Sequence, residues 1–175
     1  TRQLINVPVH LGLEHYPNIY CGVAVFLLYP LYVMDKDINL CEKIGKSVLL
    51  LVFLTAFNLN IPNFIWHGFH YPNSLPCRQS FIYIFFLLTM CYEALSHIKR
   101  MTSRQLGIAV WISLGLLVLI EQVFAVDETY DFKAIYLSGA FILVYAGLMI
   151  VYNKTNWKLP VTVFLAFIVL SLIHI

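Results

Sequence analysis

Long apolar runs separated by short polar stretches make up almost the whole chain. Each run approaches the roughly 20 residues that an α-helix needs to cross the hydrocarbon core of a bilayer. The pattern predicts six membrane-spanning helices, at residues 18–34, 44–60, 80–97, 106–126, 134–152 and 159–175. Because the connections are short, the predicted fold is all-α: a polytopic transmembrane helical bundle that forms a single domain over residues 1–175.

Composition supports the membrane class. Of the 175 residues, 61% are hydrophobic and 11% are charged, whereas soluble domains carry roughly 25% charged residues. The lipid bilayer is therefore the first expected partner. The sequence contains no basic patch suited to nucleic acid, no nucleotide-binding loop and no Ser-His-Asp set, so nucleic acid is not an expected partner.

The two ends of the sequence are typical of a piece of a longer protein. Residue 1 is Thr rather than Met, and no basic segment followed by an apolar one marks a signal peptide. The last apolar run is still apolar where the sequence stops. We therefore expect this chain to be an internal fragment.

Basic residues alternate between the loops, and this alternation predicts the orientation. Eight Lys and Arg residues lie in three loops: Lys36, Lys43, Lys46, Lys99, Arg100, Arg104, Lys154 and Lys158. The other three are Arg2, Arg78 and Lys133. Because short basic loops stay in the cytoplasm, the N-terminal segment and residues 61–79 and 127–133 are predicted to face outward.

The predicted outer loop at residues 61–79 has an unusual composition. Its three prolines and Gly68 exclude one continuous helix. It also contains more large apolar side chains than a freely solvated loop normally exposes. We therefore expect a folded outer loop that packs back against the bundle between spans two and three.

Two histidines of this loop, His67 and His70, are three residues apart, so one helical turn would place both rings on the same face. The pair fits contacts to a phosphate or a sugar, and it equally fits hydrogen bonds to the loop backbone. A divalent metal is a weaker alternative, since no third ligand has a suitable spacing and Cys77 is a poor candidate. No cofactor is therefore predicted.

Arg78 is the one basic residue of the outer loop and lies at the predicted start of the third span. Its guanidinium group matches the oxygens of a phosphate, and the first amides of a helix add positive potential there. Both features suit a lipid phosphate. An anchor at the membrane interface is an equally good interpretation of Arg78.

A few polar residues lie inside the predicted spans. Four of them are near the outer surface and either line an outward-facing cavity or lie at the interface: Asn58, Asn60, Glu121 and Gln122. Glu93 is nearer the cytoplasmic end of the third span, where we expect it to pair with Lys99 or Arg100. Of the four cysteines, Cys21 and Cys77 fall on the outer side, where the topology allows a disulfide between them.

Two stretches of the sequence resemble the YfhO family of bacterial membrane proteins. One is PNIYCG at residues 17–22, and the other is FNLNIPNFIWHGFHYPNSLPCRQSFIYIF at residues 57–85, followed by a basic exit from the third span. The most specific part is WHGFHYPNSLPCR, which combines rare residues in a fixed order within a loop. The later spans resemble the family only as apolar helices.

The resemblance implies a glycosyltransferase-like protein of the GT-C type in the bacterial plasma membrane. Such a protein takes a sugar from a polyprenyl-phosphate carrier and transfers it to a cell-envelope polymer such as lipoteichoic acid. The resemblance also implies that the catalytic residue lies upstream of this fragment. The candidate contacts to the lipid phosphate or the sugar are Trp66, His67, His70, Asn73 and Arg78.

Two other classes of function fit the same sequence. A transporter or flippase of envelope lipids would use the loop as its outer gate, and Pro30 suits the broken helices of such proteins. A structural membrane protein needs no site at all. An acidic residue in an outer loop upstream would favour the transferase, whereas internal repeats would favour the transporter.

Overall fold

The computed structural model describes residues 19–66, 68–69, 79–124, 132–154 and 163. Over these ranges it consists of helices and turns, so the all-α prediction is confirmed there. The helices are α1 (Ala24–Met34), α2 (Leu40–Asn58), α3 (Asn60–Trp66), α4 (Ser80–Ser96), α5 (Ser103–Phe124) and α6 (Phe132–Lys154). A 3-10 turn at Ile98–Arg100 connects α4 to α5.

The prediction of six membrane spans is confirmed only in part. Two stretches, in α5 and α6, are long and apolar enough to cross a membrane: Ser103–Gln122 and Ile135–Lys154. Helices α1 and α4 are apolar but shorter. The sixth predicted span, 159–175, lies outside the described residues except for Val163.

The first two predicted spans differ from the helices at their starts. Helix α1 begins at Ala24 instead of residue 18, after Gly22, whose φ of 90° is incompatible with a helix. Helix α2 begins earlier than predicted, at Leu40, because Asn39 caps it. The side-chain oxygen of Asn39 accepts the amide hydrogen of Cys41 at 3.1 Å.

Helix α1 is the centre of the bundle. It packs against α4, α5 and α6 and makes little contact with α2. Its buried side chains include Leu27, Leu31 and Tyr32, each fully inaccessible to solvent. A helix that is apolar on all sides must be surrounded by other apolar groups, and here neighbouring helices supply most of them.

A proline inside α1 explains a buried hydrogen bond between α1 and α5. Pro30 has no amide hydrogen, so it cannot bond the carbonyl of Phe26 one turn earlier. Ser113 of α5 supplies the donor instead, with its hydroxyl 2.6 Å from that carbonyl oxygen and 2.7 Å from the carbonyl oxygen of Ala109. The sequence predicted the lost bond at Pro30 but not its replacement.

Helix α2 lies at the edge of the described bundle, where it contacts α3 and α4. Apolar residues along it remain exposed: Ile44, Val48, Leu49, Leu51 and Val52. In a membrane such a face meets lipid tails, which are as apolar as the side chains themselves. Burial inside the protein and apolar character are therefore separate properties in this chain.

Helix α5 begins with a capping box that also ties it to α1. The Thr102 hydroxyl accepts the amide hydrogen of Gln105 at 3.3 Å, and the Gln105 side-chain oxygen accepts the amide hydrogen of Thr102 at 2.9 Å. The amide nitrogen of the same Gln105 side chain donates to the carbonyl of Met34, at the end of α1, at 2.9 Å. One side chain thus fixes the start of one helix and the end of another.

Candidate functional site

One of the five predicted site residues, Trp66, is among the residues that the structure describes. The other four, His67, His70, Asn73 and Arg78, lie outside them. Trp66 is the last residue of α3 and is 42% exposed. The segment predicted to be a folded outer loop at residues 61–79 therefore begins as a helix, because Pro62 lies in the first turn of α3, where no amide hydrogen is needed.

Helix α3 ends in a glycine motif that sets the direction of the following chain. Gly68 has a φ of 68° and donates its amide hydrogen to the carbonyl of Ile65 at 3.1 Å. Phe69 donates to the carbonyl of Phe64 at 2.9 Å, and the rings of Phe64 and Phe69 are 5.9 Å apart. This is the Schellman arrangement with its usual apolar contact. The prediction that Gly68 breaks the helix is confirmed.

Four aromatic residues beneath α3, at the end of the bundle that the basic loops predict to face outward, form what we call the outer aromatic cluster: Phe53, Phe57, Trp66 and Tyr83. The ring of Phe53 lies 4.9 Å from that of Trp66, edge to face, and 6.4 Å from that of Tyr83. Phe57 and Tyr83 are 5.7 Å apart. Such pairs contribute about 0.5–1.5 kcal/mol each beyond burial. The cluster holds the end of α3 against α2 and α4. The chain then continues into residues 67–78, which we call the histidine loop.

The start of α4 carries a buried polar group that sequence reasoning did not select. Gln79 is 3% exposed, and its backbone carbonyl oxygen accepts the backbone amide hydrogens of Ile82 and Tyr83. Within the described part of the chain, its side-chain amide has no hydrogen-bond partner. Gln79 directly follows Arg78, so the residue predicted to bind phosphate immediately precedes this helix start.

The opposite end of the bundle, which the basic loops predict to be cytoplasmic and which we call the inner end, contains a network of ion pairs and hydrogen bonds. Nδ1 of His97 lies 2.7 Å from Oδ2 of buried Asp35, whose Oδ1 accepts the amide hydrogen of Asp37 at 2.9 Å. Nη1 of Arg100 donates to Oδ2 of Asp37 at 2.7 Å and holds the pKa of that carboxyl below its usual value. The pair is therefore formed at neutral pH and is lost only as the pH falls through this lowered pKa.

Ligand atoms of Asp35, Asp37 and His97 lie within 4.8 Å of one another, so the group has the composition of a metal site. Both carboxylates already have side-chain partners, Asp35 in the His97 ring and Asp37 in the Arg100 guanidinium. A metal would have to displace these partners. We therefore interpret the group as a network of polar contacts that ties the end of α1 to the end of α4.

Glu93 forms an ion pair across helices, with Lys46 of α2. The carboxylate of Glu93 accepts hydrogen bonds from Nζ of Lys46 at 2.7 and 2.8 Å, and Lys46 also bonds Glu42 at 2.6 Å. Arg100, one of the two expected partners, bonds Asp37 instead. The expectation from sequence did not include Lys46, because it considered only neighbours along the chain.

The remaining polar candidates lie apart from the outer aromatic cluster or outside the described side chains. Glu121 accepts a hydrogen bond from the hydroxyl of Tyr136 at 3.2 Å, which joins α5 to α6. The side chains of Asn58 and Asn60 lie outside the described residues, as does Cys77. Cys21 is a free thiol, so the structure gives no support to a disulfide with Cys77.

The described helices expose apolar side chains along their lengths. The bundle carries ion pairs at one end and an aromatic cluster at the other, as a helical membrane protein does. The model of the family described as bacterial membrane protein YfhO matches residues 8–175. The chain therefore belongs to the YfhO family, and the match extends through the later helices as well as the first half. No curated protein and no solved structure gives a significant match.

Proposed function

We propose that this protein acts as a membrane glycosyltransferase, which moves a sugar from a polyprenyl-phosphate carrier to a cell-envelope polymer such as lipoteichoic acid. The observation that carries the proposal is membership of the YfhO family over residues 8–175, a range that includes the whole histidine loop. The basic-loop count supports it independently, since it predicts that this loop faces outward, where a lipid-linked donor presents its phosphate.

The chemistry explains why a cationic outer loop is useful. A hydroxyl group of the acceptor attacks the anomeric carbon of the sugar and forms the new glycosidic bond. The bond from that carbon to the phosphate oxygen breaks, and polyprenyl phosphate leaves with the electron pair. Its growing negative charge is best stabilised by fixed cations and amide hydrogens. The proton of the hydroxyl passes to a base that we do not assign within this chain.

In this proposal Arg78 contacts the carrier phosphate, together with the first amides of α4. His67, His70 and Asn73 donate hydrogen bonds to the phosphate or to sugar hydroxyls. Trp66 offers a partly exposed aromatic face at the end of α3, and its contact with Phe53 restricts its orientation. A site built on a fixed aromatic anchor limits the entropy that the loop loses on binding.

The test is the replacement of the loop residues in the full protein. We expect Arg78→Ala and His67→Ala to reduce glycosylation of the envelope polymer at unchanged protein level, and Arg78→Lys to restore only part of it. Arg104→Ala, at an exposed residue at the other end of the bundle, is the matched control and should leave glycosylation unchanged. Normal glycosylation in both loop variants would refute the assignment of the site.

A further inference from the structure

A groove of about 240 Å³ separates α1 from α2. It is lined almost entirely by hydrocarbon groups, with walls that include Val25, Leu50, Leu54, Tyr83, Leu87 and Leu116. At one end it meets the outer aromatic cluster, because Tyr83 belongs to both. At the other end it reaches Tyr29, Pro30 and Ser47.

The groove exists because α2 is attached at two separate places, to α1 and α4 near the inner end and to α4 near the outer end. Near the inner end, the hydroxyl of Tyr29 donates to that of Ser47 at 3.1 Å, and Lys46 of α2 pairs with Glu93 of α4. Near the outer end, Phe53 and Phe57 of α2 pack on Tyr83. Between these two attachments α1 packs against other helices and leaves a gap beside α2.

A gap of this kind at membrane depth favours one type of occupant. Water is disfavoured in an apolar cavity, because it finds no polar partners there. An empty gap would forfeit the dispersion contacts of every lining group. The neighbouring face of α2 exposes Leu51 and Val52, so hydrocarbon from the bilayer has direct access.

The ends and the length of the groove indicate which lipid chain fits. At the inner end the lining stops at Tyr29 and Ser47, whose hydroxyls are bonded to each other, and the Lys46 ion pairs lie just beyond, so a chain enters more readily from the other end. The α2 wall from Ser47 to Leu54 is about 10 Å long at 1.5 Å per residue. A leaflet of a bilayer core is about 15 Å deep, so the groove accommodates most of one chain that enters from the outer end.

We propose that the groove binds one acyl chain of an outer-leaflet phospholipid, whose head group lies at the level of the outer aromatic cluster. The bound chain fills the gap between α1 and α2 and completes the packing of the bundle. The proposal is independent of the transferase activity, since it rests on the groove and on the orientation of the helices.

The experiment uses the purified full-length protein in nanodiscs that contain a phosphatidylglycerol with a diazirine on one acyl chain. After photolysis, mass spectrometry locates the cross-links. With the diazirine near the glycerol we expect cross-links to residues around Tyr83, and with the diazirine near the chain end we expect them around Leu50. The lipid-facing surface of α5 around Val118 provides the level of non-specific labelling, because Val118 is exposed.

Two groove variants and one control test the position of the chain. Val25→Phe and Leu54→Phe narrow the groove from opposite walls and should reduce its cross-links to the α5 level, while Val118→Phe should leave them unchanged. Wild-type labelling of the groove no stronger than that of α5 would overturn the proposal. Reversed depths for the two probes would also overturn it, as would displacement of the phospholipid by added polyprenyl phosphate.

Discussion

Helices α1 and α2 follow each other in the chain and are both predominantly apolar, yet their surroundings differ completely. Helix α1 is enclosed by α4, α5 and α6, and several of its side chains are fully buried. Helix α2 contacts the bundle along one side and exposes apolar residues along another. In a membrane protein, apolar character therefore shows where the bilayer is, while packing against other helices shows where the core is.

The difference extends to the way each helix is held. Polar contacts join α1 to its neighbours at the middle and at the inner end, through Ser113, Gln105 and His97. Helix α2 is joined by the Lys46 ion pairs, the Tyr29–Ser47 bond and the outer aromatic cluster. The pair α2 and α3 is thus the less firmly attached part of the described bundle, and it leads directly into the histidine loop.

The largest expected effect comes from truncation of a core side chain of α1. Leu27 is fully buried, so Leu27→Ala should lower the free energy of unfolding by about 2–5 kcal/mol through lost contacts and a cavity. Leu49→Ala on α2, where the side chain is partly lipid-facing, should cost distinctly less. Unfolding of the purified variants by titration with a denaturing detergent measures both. Equal losses would mean that α2 is packed as tightly as α1.

The contact between Asp35 and His97 at the inner end should have the next largest effect. Asp35→Ala removes the partner of His97 and the acceptor for the amide of Asp37, with an expected loss of about 1–3 kcal/mol. A double-mutant cycle with His97→Ala isolates the energy of the pair. Additive losses in the cycle would show that the two side chains do not interact.

Gly68→Ala tests the attachment of α3. A residue other than glycine at a φ of 68° costs about 1 kcal/mol, although the structure leaves room for the added methyl group. We expect faster hydrogen exchange of the α3 amides and no change in α1. Gly45→Ala, in the middle of α2 with no positive φ, is the control and should not accelerate exchange. Acceleration in α1 would mean that α3 and the core unfold together.

The smallest expected effect concerns the carbonyl of Phe26. Ser113→Ala removes the donor that compensates for Pro30, and hydrogen bonds between membrane helices average about 0.6 kcal/mol. A second replacement, Pro30→Ala, should recover this loss, because an alanine at residue 30 supplies the missing amide hydrogen. Failure of the double variant to recover stability would show that the two residues are not coupled.

The sequence predicted the helical class and, within a few residues, the positions of α4, α5 and α6, because long apolar runs between polar loops have few alternative structures in a membrane. It predicted the break at Gly68, because a glycine among prolines rules out a continuous helix. It missed the start of α1, because the sequence alone does not show that Gly22 adopts a positive φ. The helix start at Leu40 depended on a cap by Asn39 within a polar stretch assigned to a loop.

The interhelical pairs could not be predicted from the sequence. Asp35 and His97 are far apart in the chain, as are Lys46 and Glu93, and only the packing of α1, α2 and α4 brings them together. The candidate site was predicted as a set of loop residues, of which Trp66 is described. Its contact with Phe53 is equally a product of packing, since nothing in the spacing of residues 53 and 66 specifies it.

The orientation of the bundle connects the fold with both proposals, and labelling of a native cysteine tests it most directly. Cys41 is exposed at the start of α2, at the predicted cytoplasmic end. In a variant of the full protein with every other cysteine replaced by Ser, an impermeant maleimide added to intact cells should leave Cys41 unmodified until the membrane is opened. In the same background, a Cys41→Ser, Ile61→Cys variant should react at once, because residue 61 is exposed on α3. Labelling of Cys41 from outside intact cells would invert the bundle and contradict the account.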